Sequence, residues 1–248
     1  MHRNFVKFTF LKVDPAWRRL PADERERHKR EFEAACDNFA ADRFLRAFSL
    51  VGTRGDTDLL LWCSSPGLAD IHEFHVVLGQ SGLMGWAETP YSYLAMTKES
   101  EYSEEDRLEV RAAERKYLFV YPFWKQRDWY RLPGPERMRI MREHIEIGRK
   151  YPSISINTTY SFGLDDQEFV VSFETDEPAT SSISCTSSEA VSRARTLCGT
   201  HPSSPVSRAA SGTPSTPSMV RLRRSPRAPG ETPSPAPSTL ASRFHRLR

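Results

Sequence analysis

His144 is the one ionisable side chain in an apolar helical stripe. Ile140, Ile147 and Tyr151 stand four and three residues from it and from one another, so a helix carries all four on one face. That spacing places the imidazole on the buried side. A histidine there is most often a hydrogen-bonded core residue; its other use is as a neutral nitrogen ligand for a metal. Tyr121 and Lys125 close the apolar strand that precedes the helix, where side chains project into a cleft. His72 and His75, three residues apart on another helical stretch, suggest a metal pair, but no third ligand accompanies them and a surface or rim position is the commoner outcome. Cys36, Cys63, Cys185 and Cys198 lack any C-x-x-C spacing and read as free thiols of a reducing compartment, the first two buried.

The elements that must position these groups run from Tyr117 to Asp166. The aromatic run YLFVYPF, 117 to 123, reads as a strand whose end is marked by Pro122, a residue that cannot donate to a central ladder. A short turn follows, then a helix entered near Pro133 or Pro135, since a first turn tolerates proline. Strands Ser155 to Phe162 and Glu168 to Glu174 come next.

The motifs YPFWK, WYRLP, EHIEIGRKY and YSFGLDDQEFVVSFETDEP, in this order, resemble the chlorite dismutase-like haem proteins, a family that includes peroxide-dependent coproheme decarboxylases. Weaker matches reach back to Phe5, so the resemblance covers about the first 178 residues. It implies an enzyme that uses hydrogen peroxide to decarboxylate coproheme (iron coproporphyrin III) to haem b, the substrate serving as its own cofactor, in a homo-oligomer that is pentameric if it follows the family. His144 falls on the family's proximal iron ligand, Tyr121 on its redox-active tyrosine and Lys125 on the lysine beside a propionate. Arg107 matches a propionate-binding arginine. True chlorite dismutases carry an arginine above the iron, and the matching position here is Ile156, which cannot steer chlorite, so dismutase activity is not expected. The distal glutamine or histidine of some decarboxylases is missing as well; the histidine's place is taken by Glu104, a weak candidate for the base that deprotonates peroxide. The rival reading is a non-catalytic haem-binding or haem-handling module built on His144.

Upstream, Asn4 to Val13 alternates apolar and polar residues like a half-buried strand. A charged helix follows, entered through Pro21 and Asp23, with Phe32, Ala35, Cys36 and Phe39 on its apolar side. Strands Phe44 to Gly52 and Thr57 to Ser65 are joined through a Gly-containing turn, and a helix over Leu68 to Leu78 leads to a strand at Tyr91 to Thr97. The order β-α-β-β-α-β is a ferredoxin-like unit, and it restarts at Tyr117. The expected class is therefore α+β: two duplicated ferredoxin-like units of the dimeric α+β barrel type, at 1–100 and 101–178, the second lacking its last helix and strand.

The segment 179–248 differs in kind, with ten Arg, no Lys, two Glu and abundant Ser, Pro, Thr and Ala. The body up to Pro178 carries about −5 and this tail about +8, so the net +3 describes neither. Without aromatic interleaving or a helical face, the basic surplus does not point to nucleic acid. The tail reads as a disordered segment and as an out-of-frame translation. Permissible codons for the stretch from Ala179 to Glu189, read one nucleotide earlier, spell an amphipathic helix (ADFLDLVHELR), and those from Thr196 to Val206 spell a strand, both resembling the family's ending. The alternative is a genuine disordered tail. The amino terminus alternates like a strand and lacks a signal peptide's apolar core, and nothing approaches the roughly twenty apolar residues needed to span a bilayer. A cytoplasmic protein is expected.

Overall fold

The computed structural model describes residues 3–98, 110, 112–179, 198–200 and 221–222, the last two segments through their backbone pairing alone. Arg107, Glu104 and Cys185 lie outside the described residues, as does most of the tail. The chain divides into two compact units, 5–92 with 217–248, and 1–4 with 93–216.

The unit that begins at Phe5 contains β1 (Phe5–Val13), α1 (Ala22–Ala40), β2 (Phe44–Ser49), β3 (Leu59–Ser65), α2 (Leu68–Gly79) and most of β4 (Ala87–Met96). Its strand order is β4-β1-β3-β2, with β1 and β2 antiparallel to β3. That is the order of a ferredoxin-like unit. Phe32, Ala35, Cys36 and Phe39 of α1 are all buried against Ile71, Phe74 and Leu78 of α2 and the inner side of the sheet, Phe39 stacking on Phe74 at 4.5 Å. Cys36 and Cys63 are free and buried in this core; burial raises both thiols, that of Cys63 to about 12, so neither is a nucleophile at neutral pH. The β2–β3 connection is longer than the spacing suggests, because the chain folds back at Leu50, whose carbonyl accepts the N–H groups of Thr53 and Arg54, before β3 starts at Leu59. Gly52 takes φ +83° in this loop.

Gly82, after α2, is held by close approach. A Cβ there would lie 2.1 Å from Cδ2 of His28, whose Nδ1 accepts the Trp17 indole N–H at 3.3 Å. His28 is only 6% exposed and has nowhere to swing. Gly82→Ala is expected to cost about 1–3 kcal/mol of stability, as overpacking does. The measurement is the urea midpoint at unchanged slope; a midpoint equal to that of the native chain would show that His28 yields.

The other unit holds β5 (Tyr117–Lys125), α3 (Arg127–Arg131), α4 (Gly134–Arg149), β6 (Ser155–Tyr160), β7 (Phe169–Thr175) and the three-residue β8 (Cys198–Thr200), with strand order β8-β5-β7-β6. β5, β7 and β6 are antiparallel neighbours. β5 does not end at Pro122; it continues to Lys125, with Pro122 opposite Val170. The reason lies in the alternation of N–H directions. Lys125 donates its N–H to Glu168 on the β7 side, so Pro122, three residues earlier, turns its nitrogen to the other edge, where β8 pairs only with 123–125. The expected turn after β5 is a helical turn, α3, which buries Trp129. α4 is capped at Pro133 and has Pro135 in its first turn, as its sequence predicts.

At the β5 edge, β8 occupies the place of a fourth strand with three residues, while the stretch expected to lack a helix, 180–197, lies outside the described residues. On the displaced-frame reading, one base restored near the codon for Ala179 adds a helix and a full strand. These shield several hundred Å² at roughly 25 cal/mol per Å², a gain on the order of 10 kcal/mol. Soluble yield and haem absorbance per subunit are expected to rise together in the restored chain. Equal yield and equal haem loading in the two versions would establish the Ser/Pro/Arg tail as native.

Candidate functional site

Of the residues singled out by type and spacing, Tyr121 and Lys125 share one side of the second unit's sheet. Alternate residues of β5 point to opposite faces. Leu118 and Val120, with Val170 and Ser172 of β7, close one face completely. Phe119, Tyr121, Phe123 and Lys125 share the other, which is only half-buried. Register continues that second face across the sheet: Phe173, Val171 and Phe169 on β7 stand opposite Phe119, Tyr121 and Phe123, and Ile156, Thr158 and Tyr160 of β6 stand opposite them in turn. Phe119 stacks on Phe173 and Phe123 on Phe169, both at 4.8 Å, and Tyr121 meets Phe173 edge-on at 6.1 Å. Ile156 is 43% exposed, and Phe162 just beyond β6 is 52% exposed. A face this aromatic and only half-buried is a candidate binding surface.

α4 carries His144 on the same side, near enough to Lys125 for the ammonium to act on the imidazole. The stripe on α4 does not form a core. Ile140 is buried, Ile147 and Tyr151 are half-buried, and His144 is solvent-exposed, contrary to its expected place on a buried face. Among the described residues, no strand packs as closely on α4 as β2 does on α1 or β3 on α2, which leaves this stripe less covered than theirs. Water reaches the ring, yet protein surrounds it on most sides: desolvation first, and the charge of Lys125 second, hold its pKa below 6.5. The ring is therefore a neutral nitrogen donor at neutral pH.

Tyr121 and Lys125, four residues apart on one face of β5, are separated by roughly 13 Å at the ordinary rise of a strand. The Lys125 ammonium lies 4.5 Å from the centre of the Trp129 ring and 5.7 Å from that of Phe123. Glu168, which nothing in the spacing marks as special, accepts both the Lys125 backbone N–H at 2.8 Å and the Tyr130 hydroxyl at 2.6 Å through one carboxylate oxygen. His75 is engaged elsewhere: its Nδ1 bonds to the Ile71 carbonyl and its Nε2 to the Thr9 hydroxyl, both at 2.8 Å. Among the described residues, no three His, Cys, Asp or Glu side chains gather as a metal site.

An open aromatic face, one neutral imidazole and one lysine cation suit a flat, apolar ring system that carries a metal and bears carboxylate arms. A porphyrin supplies its own four equatorial nitrogens, so a single protein nitrogen is enough for its iron. His144 would hold the metal, and Lys125 a carboxylate.

The model of the chlorite dismutase family matches residues 25–182. A coproheme decarboxylase of Staphylococcus carnosus is 28% identical over 193 residues, 68% of this chain and 77% of that protein. A coproheme decarboxylase of Mycolicibacterium smegmatis is 28% identical over 133 residues, and the match spans 52% of this chain but only 58% of the relative's length. Among solved structures, a chlorite dismutase from Candidatus Nitrospira defluvii in complex with imidazole superposes with a TM-score of 0.72 at 19% identity, covering 82% of this chain and 89% of that one. A haem-binding protein from Thermus thermophilus gives 0.68 at 24% identity, covering 82% and 89%. Likeness at such identities carries the fold. No helix among the described residues is long and apolar enough to cross a membrane.

Proposed function

The chain belongs to the chlorite dismutase family, and from that premise we propose that it is a coproheme decarboxylase, converting iron coproporphyrin III to haem b with hydrogen peroxide. The observation that carries the proposal is the placement of Tyr121 and Lys125 on one open aromatic sheet face, with the charge of Lys125 felt at a neutral His144. The relatives named coproheme decarboxylase support the same reaction.

When bound, the iron porphyrin supplies the oxidising power that peroxide delivers. The residues then divide the work. His144 holds the iron through its unprotonated nitrogen. Lys125 pairs with a propionate carboxylate and keeps it beside the sheet as carbon dioxide departs. Tyr121 gives up its phenolic hydrogen and takes one from the propionate side chain, so the ring acts as a relay and is restored. Each departing carboxylate leaves a vinyl group, and its electrons reduce peroxide to water. Arg107 is assigned to a propionate from the resemblance alone, and Glu104, which stands where some of the family's decarboxylases have a histidine, is the weak candidate for the proton of peroxide. Ile156, exposed on this face, is aliphatic and cannot hold an oxyanion, which argues against chlorite chemistry.

The test adds iron coproporphyrin III and hydrogen peroxide to the full chain and follows carbon dioxide and the mass of the porphyrin product. Loss of mass equal to the departing carboxyl groups is the expected result. Tight binding without carbon dioxide would assign the chain to haem handling instead.

A further inference from the structure

We infer that Trp129 is a positioning residue for Lys125, its indole face forming with Phe123 an aromatic cradle that aims the ammonium at a porphyrin carboxylate. This rests on the function proposed above and deepens it. The lysine side chain is long and flexible, and holding it in one place costs rotamer entropy. A carboxylate partner of its own would offset that cost but would neutralise the charge. Among the described residues the ammonium has no such partner; it lies against two ring faces, at 4.5 Å from Trp129 and 5.7 Å from Phe123. A π face holds a cation electrostatically while leaving its N–H donors for a ligand.

The cradle is itself built in. Trp129 is 3% exposed, so the ring cannot move away. Its neighbour Tyr130 donates to the same Glu168 oxygen that accepts the Lys125 backbone N–H, which ties α3 to the end of β5 and fixes indole and lysine relative to each other. A five-residue helical turn thus acts as a bracket. The arrangement suits a substrate recognised by its carboxylates and gives nothing to a porphyrin that lacks them.

Two measurements on the full chain test this. In the native protein without porphyrin, the side-chain methylene resonances of Lys125, identified by their loss in Lys125→Met, are expected upfield of their ordinary position because of the indole ring current. They should return to it in Trp129→Leu and stay partly shifted in Trp129→Phe. Resonances of Lys125 at the ordinary position in the native chain would overturn the cradle, whatever the variants do. The second measurement compares iron coproporphyrin III with iron octaethylporphyrin, which has no carboxylates. Trp129→Leu should weaken the first by about three- to thirtyfold, the range of a partly desolvated cation–π contact, and change the second less than about twofold. Trp129→Phe should recover most of the loss, and Trp129→Leu should add nothing in a Lys125→Met background. An equal loss for both porphyrins would make Trp129 a packing residue only and overturn the inference. Failure of the parent proposal looks different: no carbon dioxide is released, while the ring-current shift and the carboxylate selectivity remain.

Discussion

Tyr121→Phe is expected to bind iron coproporphyrin III with the affinity of the native chain and to release no carbon dioxide, a fall in kcat of about a hundredfold or more at unchanged Kd. Such a split identifies an interaction used in the reaction and not in binding. The substitution is mild for the fold. The Tyr121 ring packs edge-on against Phe173 at 6.1 Å and lies 6.4 Å from Phe123, contacts that phenylalanine keeps. Only the O–H is lost, and the relay depends on that bond. Single-turnover mixing with peroxide, read by product mass, checks the result. Undiminished turnover would move the relay to Trp124, Trp129 or Tyr130; of these, Trp129 is buried beside Lys125.

His144→Ala is expected to abolish the histidine–iron stretch in the resonance Raman spectrum of the loaded ferrous protein. The far-ultraviolet circular dichroism and thermal midpoint should stay close to those of the native chain. The fold survives because the ring is exposed and fills no core, and alanine is the better helix former by roughly half a kcal/mol. Imidazole added to the variant should restore a nitrogen-ligated spectrum, since the deletion leaves room for it. An unchanged stretch would remove His144 from the iron. The pH dependence has a definite sign. Burial and Lys125 lower the pKa of His144 from 6.5, so the unprotonated ligand persists below pH 6.5 and is lost only as the pH falls through the depressed value. Lys125→Met removes one of the two causes. Acid release of the iron porphyrin should then begin at a higher pH than in the native chain.

Much of this protein follows from the order of its residues. The four-and-three spacing in α1 determined which side is buried, because a helix repeats its faces with a fixed period; alternation in β1 marked a strand but not a half-buried one, since Phe8, Thr9, Phe10 and Leu11 are all buried and so cover both of its faces. The β-α-β-β-α-β order determined the 4-1-3-2 strand arrangement of the first unit, since short connections leave few alternatives, and the β-α-β-β order the β5-β7-β6 arrangement of the second; the short β8 beside β5 was not expected. The motifs around Tyr121, Lys125 and His144 pointed to the candidate site. Tertiary structure decided the rest. Periodicity puts His144, Ile140, Ile147 and Tyr151 on one face but is silent on whether anything packs against that face; among the described residues α4 packs less closely on its strands than α1 and α2 do, and only Ile140 of the stripe is buried. Proline chemistry forbids a donor at 122 but not a strand, and only the direction of neighbouring N–H groups lets β5 pass through to Lys125. Trp129 and Glu168 fall inside quoted motifs, but nothing in the spacing joins them to Lys125, because those contacts depend on a helical turn folding back beside the strand end and exist only once the chain is folded.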